Sequence, residues 1–105
     1  MPSFELVLHS RNPQACLDFY REFLGMPARG SVLGEEGAEI RVVGGEPPRN
    51  REHYLVVSVP DVKALVGRLR EAGHEVLREW REQGEARALV SDPDGNLLEL
   101  APEER

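Results

Sequence analysis

The segment Y-L-V-V-S-V-P-D, Tyr54–Asp61, repeats in altered form E-L-V-L-H-S-R-N, Glu5–Asn12, forty-nine positions earlier. Both are β-rich runs that end on a side chain suited to capping a helix, Asp61 in one and Asn12 in the other. The match continues outward: Pro13–Leu17 lies over Val62–Val66, and Arg21-Glu22 over Arg70-Glu71. Behind Pro13 at the first helical position, Cys16, Phe19, Tyr20, Phe23 and Leu24 recur at helical spacing until Gly25 stops the run. In the second copy Val62, Leu65, Val66 and Leu69 form the stripe and Gly73 is the stop. Each helix is apolar on one face only, so each must lie on a sheet.

Beyond the helices the copies differ. After Gly73 the pattern predicts strands over His74–Trp80 and Ala86–Ser91 with a Gln83-Gly84 turn between them. Asp92-Pro93-Asp94-Gly95 then turns the chain into a last strand, Asn96–Ala101. The first copy has room after Gly25 for one strand, about Ala28–Leu33, a Gly34–Gly37 turn and a closing strand, Glu39–Val43. The expectation is an α+β domain spanning 1–105: module one over 1–46, a linker over 47–52 and module two over 53–105. Two β-α-β-β-β modules, the first shortened by about one strand, would pair because neither can bury its sheet alone.

Composition narrows the function. At 105 residues, 40% apolar and 30% charged, the chain describes a globular domain and not a disordered one. Net charge is −6 and the basic residues form no stripe, which argues against nucleic acid. No apolar run reaches the roughly 20 residues that cross a bilayer. With no signal peptide visible, the cytoplasm is expected. Cys16 is the single cysteine and falls on the first helix's buried stripe, where it reads as a packing residue.

Four stretches resemble the vicinal oxygen chelate superfamily of glyoxalases, bleomycin-resistance proteins and extradiol dioxygenases. They are Ala15–Gly25 (A-C-L-D-F-Y-R-E-F-L-G), Val57–Val62, Leu69–Gly73 and Ser91–Leu100 (S-D-P-D-G-N-L-L-E-L). The resemblance covers nearly the whole chain and is weakest over Met26–Arg51. It implies a curved mixed sheet around a cleft, with helices outside. In metal-dependent members it also implies one divalent ion held by four inward side chains from the first and last strands of each module.

Strand alternation tests that implication on these residues. Phe4, Leu6 and Leu8 should face the helix, leaving Glu5, Val7 and His9 toward the cleft. Leu55, Val57 and Val59 face the helix, leaving Tyr54, Val56 and Ser58; Leu98 and Leu100 leave Leu97 and Glu99. Aligning Gly37 with Gly95 sets Arg41 at the position of Glu99. The family's four ligand positions thus read Glu5, Arg41, Tyr54 and Glu99. Arginine cannot ligate a cation, and a tyrosine phenol is a rare ligand. An Arg41–Glu99 ion pair across the cleft would replace the metal's charge balance. Slipping the alignment by two instead offers Glu39, so that Glu99 with Glu5, Glu39 or His9 could hold one divalent ion.

The remaining candidates are plainer. His53 has the wrong parity for the cleft, His74 should be exposed, and Phe19, Tyr20 and Phe23 should be core. Trp80 either lines the cleft or covers a dimer contact, and Glu79–Glu85 reads as a solvated hairpin. The favoured expectation is a small-molecule-binding protein with no metal and no cofactor. Its cleft would be lined by Glu5, His9, Arg41, Tyr54, Ser58, Trp80 and Glu99, and its acidic groups would suit a cationic or hydrogen-bonding organic ligand. The alternative is a divalent-metal-dependent lyase, isomerase or dioxygenase of the glyoxalase type, with Glu99 as the one candidate catalytic residue. A homodimer is expected in either case, with no membrane partner.

Overall fold

The computed structural model describes residues 4–35, 38–46 and 55–103. The chain divides into two compact units, Met1–Arg49 and Asn50–Arg105. The first contains β1 (Phe4–Ser10), α1 (Pro13–Leu24), β2 (Ala28–Arg29), β3 (Val32–Glu35) and β4 (Ala38–Gly44). The second contains β5 (Leu55–Val59), α2 (Val62–Glu71), β6 (Val76–Glu82), β7 (Glu85–Ser91) and β8 (Leu97–Pro102). Their sheets have the same topology, β1-β4-β3-β2 and β5-β8-β7-β6. In each, the first strand runs parallel to the last and the other pairs are antiparallel. Both units are therefore β-α-β-β-β, the order the sequence predicts for the second unit in full and for the first with about one strand fewer. The expected linker, 47–52, and the residues His53 and Tyr54 lie outside the described residues.

The helices begin where their caps place them. The side-chain oxygen of Asn12 accepts from the N–H of Ala15 at 3.2 Å, and that of Asp61 from Ala64 at 3.0 Å. Each satisfies an N–H that the first helical turn leaves without a partner. Along α1, Cys16, Phe19 and Tyr20 are buried, with the Phe19 and Tyr20 rings edge to face at 5.5 Å. They pack with Leu33, Ile40 and Val42. Along α2, Val62, Leu65, Val66 and Leu69 are buried with Ala88, Val90, Leu98 and Leu100. Each core thus lies between one helix and one face of its own sheet.

Three expectations change. The segment read as one strand, Ala28–Leu33, is two: the two-residue β2 turns at Gly30, whose φ of 60° favours glycine, and returns as β3. The missing strand of the first unit is therefore vestigial, and Gly34 and Glu35 belong to β3 instead of a turn. Leu6 has helix-side parity but is 40% exposed. Its strand, β1, is an edge of the sheet, so its outer flank has no neighbour within the unit. His74 is half-buried, not exposed, and its backbone N–H is held by the Leu69 carbonyl at 2.9 Å where α2 ends. Among the described residues, no helix is long and apolar enough to cross a membrane.

Candidate functional site

Register fixes which residues share the face turned away from each helix, the distal face. Along β1 and β4, Val7 lies opposite Arg41 and Glu5 opposite Glu39. Along β5 and β8, Val56 lies opposite Glu99 and Ser58 opposite Ala101. Val7 and Val56 are equivalent by the forty-nine-residue repeat, so Arg41 and Glu99 are equivalent as well. Glu39 sits two residues before the position that Arg41 shares with Glu99.

The distal face of the second unit carries the most structured polar group. Glu99 is 9% exposed, and its Oε2 accepts from Arg87 Nη1 at 2.8 Å. Arg87 stands on the neighbouring strand β7, and its Nε lies 3.4 Å from Glu82 Oε2. Glu82 Oε1 accepts from the Trp80 indole N–H at 3.2 Å, and the Arg78 guanidinium stands 5.1 Å from the centre of that ring. The hairpin supporting these residues turns at Gln83-Gly84, both with positive φ, 50° and 79°, which suits the twist of a two-residue connection. Beside them lies an open depression of about 610 Å³ lined by Val56, Ser58, Gln83, Glu85, Arg87 and Ala101 through Glu103.

The turn into β8 sets the position of Glu99. Asp92, 4% exposed, accepts from the Asp94 and Asn96 backbone N–H groups at 2.9 and 2.8 Å. Its second oxygen accepts from Asn96 Nδ2 at 2.9 Å. This carboxylate closes the loop on itself, and the strand that follows buries Leu98 and Leu100 on one face, leaving Glu99 on the other.

The first unit brings Glu5, His9, Glu39 and Arg41 to its distal face. Arg41 Nε meets Glu5 Oε1 at 2.7 Å, with both side chains 52% exposed, and Arg29 meets Glu39 at 2.6 Å. His9 is exposed, beside Gly45. Within its own unit each of these charges has a partner on the neighbouring strand: Arg41 meets Glu5, and Glu99 meets Arg87. The physical reason is proximity across hydrogen-bonded strands, which supplies each charge with an opposite one at no chain-closure cost. Ser58, Trp80 and Glu99 do share one distal face; Tyr54 lies outside the described residues.

Arg87 was missed at the level of sequence. The one signal was parity, since Ala88 and Val90 read as core and place Arg87 on the opposite face.

The family resemblance implies a divalent ion, and the donor set can be tested against it. Glu5, Glu39 and Glu99 are each engaged by an arginine, at 2.7, 2.6 and 2.8 Å. A guanidinium stays protonated, cannot ligate and repels a cation. Among the described residues, the carboxylates named for a metal do not fit one.

A family model for the Glyoxalase/Bleomycin resistance protein/Dioxygenase superfamily matches residues 5–100. The chain belongs to that superfamily. No curated protein matches. Among solved structures, the superfamily fold is shared with the fosfomycin resistance protein FosX from Listeria monocytogenes, at a TM-score of 0.83 and 18% identity, covering 99% of this chain and 94% of that one. Oxidase ChaP-H1 gives a TM-score of 0.77 at 22% identity, with 99% and 97% covered. The trypanothione-dependent glyoxalase I of Leishmania major gives 0.76 at 23%, with 98% and 87% covered. At these identities the likeness is one of fold. These relatives span resistance proteins and enzymes, so superfamily membership leaves the chemistry to the residues of this chain.

Proposed function

We propose that the chain is a metal-independent small-molecule-binding protein of the bleomycin-resistance type, which takes up a small organic cation at the distal face of its second unit. The observation that carries this reading is the arginine on each candidate ligand carboxylate: Arg41 on Glu5, Arg29 on Glu39 and Arg87 on Glu99. A depression of about 610 Å³ falls within the roughly 300–1,000 Å³ of small-molecule sites. Val56, Ala101 and Pro102 offer it apolar surface, and Ser58 and Gln83 offer hydrogen bonds. Arg87 already serves Glu99 and Glu82, which leaves the exposed Glu85 and Glu103 to set the charge a ligand meets. The alternative, a metal-dependent lyase, isomerase or dioxygenase, requires Glu99 to give up Arg87.

The test is an NMR titration in the presence of a chelator, with benzyltrimethylammonium and benzoate as probes of similar size and opposite charge. The cation is expected to shift the amides of Val56, Ser58 and Ala101, and Glu85→Gln with Glu103→Gln to weaken that binding several-fold. Preference for benzoate, or binding that appears only when a divalent metal is added, would sink the reading.

A further inference from the structure

We propose that the outer edge of β6 is where two copies of this chain join, antiparallel and with Trp80 at the two-fold axis. The inference stands apart from the ligand reading above.

The edge is open. β6 ends the sheet order β5-β8-β7-β6, so among the described residues no strand pairs with its outer side. Arg78, Glu79, Arg81 and Glu82 are exposed, and Leu77 is 45% exposed. A backbone edge of this kind is a template for a further strand. Its usable length is short. A register shift between Val76 and Arg78 interrupts the ladder at one end, and the Gln83-Gly84 turn ends it at the other. What remains is Arg78-Glu79-Trp80-Arg81-Glu82.

Charges on an edge strand ordinarily keep other strands away. In this stretch they suit one partner, a second β6. In antiparallel pairing centred on Trp80, Arg78 meets the partner's Glu82, Glu79 meets the partner's Arg81, and Trp80 meets the partner's Trp80. Every charge of the stretch then opposes one of the other sign. Moving the centre by one residue sets Glu79 against the partner's Glu79, or Arg81 against the partner's Arg81. Like charges directly opposite one another are destabilising, so the sequence selects one register.

The backbone agrees with that register. Glu82 opposes Glu85 across the two-residue turn, and Trp80 opposes Arg87. Opposed pairs alternate between those that exchange hydrogen bonds and those that do not, and the pair closing a two-residue turn does. Glu82 and Trp80 therefore turn their N–H and C=O groups toward β7, and Glu79 and Arg81 turn theirs outward. With Trp80 on the axis, Glu79 and the partner's Arg81 exchange backbone hydrogen bonds. Trp80 falls at a non-hydrogen-bonded position, where opposed side chains come closest and an aromatic pair is favourable. The side chains are already ordered for it. The Trp80 indole N–H holds Glu82 at 3.2 Å and Arg78 lies 5.1 Å from the Trp80 ring, which lowers the entropy lost on association. Glu79 uses Oε2 for Arg70 at 2.6 Å, and its Oε1 remains for the partner's Arg81.

The experiment is a charge exchange followed by sedimentation equilibrium. Arg81→Glu makes the helix-side contacts of the edge acidic on both strands, and Glu79→Arg makes them basic. Each variant alone is expected to raise the dimer dissociation constant about tenfold or more. Mixed in equal amounts, the two are expected to form a heterodimer as tight as the wild-type dimer, because the charges are complementary again. Trp80 is the single tryptophan, so its emission reports the same edge. It should be bluer in the wild-type dimer than in either variant alone, and mixing should restore it. Circular dichroism melts separate lost association from lost folding. Should Glu79→Arg not fold, Arg78→Glu and Glu82→Arg make the same comparison on the distal face. A monomeric wild type, a dimer that Arg81→Glu leaves unchanged, or variants that stay apart on mixing overturns the inference.

Discussion

Asp92 does at one position what a longer hydrogen-bonded turn does elsewhere. Its carboxylate accepts three N–H bonds from Asp94 and Asn96 while 4% exposed. Truncation would strand donors that the loop has already withdrawn from water. Asp92→Ala is therefore expected to cost about 3 kcal/mol in urea unfolding, whereas Asp92→Asn, which keeps one acceptor oxygen, costs about half as much. Equal losses for the two would show that the turn does not depend on these acceptors. The same scale shows what could be read in advance. Alternation with Leu98 and Leu100 places Glu99 on the distal face without any structure. Its partner could not be read that way, because Arg87 is twelve residues earlier on another strand and only register brings the two together. Arg41 meets the same limit: alternation gives its position, but its pairing with Glu5 comes from the register of β1 and β4.

At the scale of the element, α2 carries two glycines whose substitution should have opposite effects. Gly73 ends the helix at φ 82°, with its N–H on the Arg70 carbonyl and the His74 N–H on Leu69. This is the paired-bond stop that needs a left-handed residue. Gly67 sits inside the helix, exposed, with open space where a Cβ would stand. Gly73→Ala is expected to destabilise by about 1 kcal/mol and Gly67→Ala to stabilise by about 0.5–1 kcal/mol. Chemical denaturation of the two single variants checks the signs, and a shared sign contradicts the account. Helix limits were legible because Asn12, Asp61, Gly25 and Gly73 each act on the chain within a few residues. The split of Ala28–Leu33 into β2 and β3 was not. A six-residue run can be one strand or half a hairpin, and only pairing of β3 with β4 decides.

At the scale of the whole molecule, each sheet has an edge formed by its first strand, β1 or β5. Those strands leave Leu6, Val7 and Val56 exposed at 40%, 39% and 53%. Apolar side chains on sheet edges favour association. Sedimentation of the purified chain is expected to give the mass of two 11.8 kDa protomers, and a single protomer at micromolar concentration would contradict it. The sequence by itself determined the repeat, the β-α-β-β-β order of the second unit, the helix ends and the parity of nearly every strand residue. All of these follow from interactions between residues close along the chain. Only the tertiary structure decided that Arg87 holds Glu99, that Glu5 holds Arg41, and that a depression opens beside Ser58. Those depend on which strands lie side by side and in what register, and hydrogen bonding between distant segments sets both.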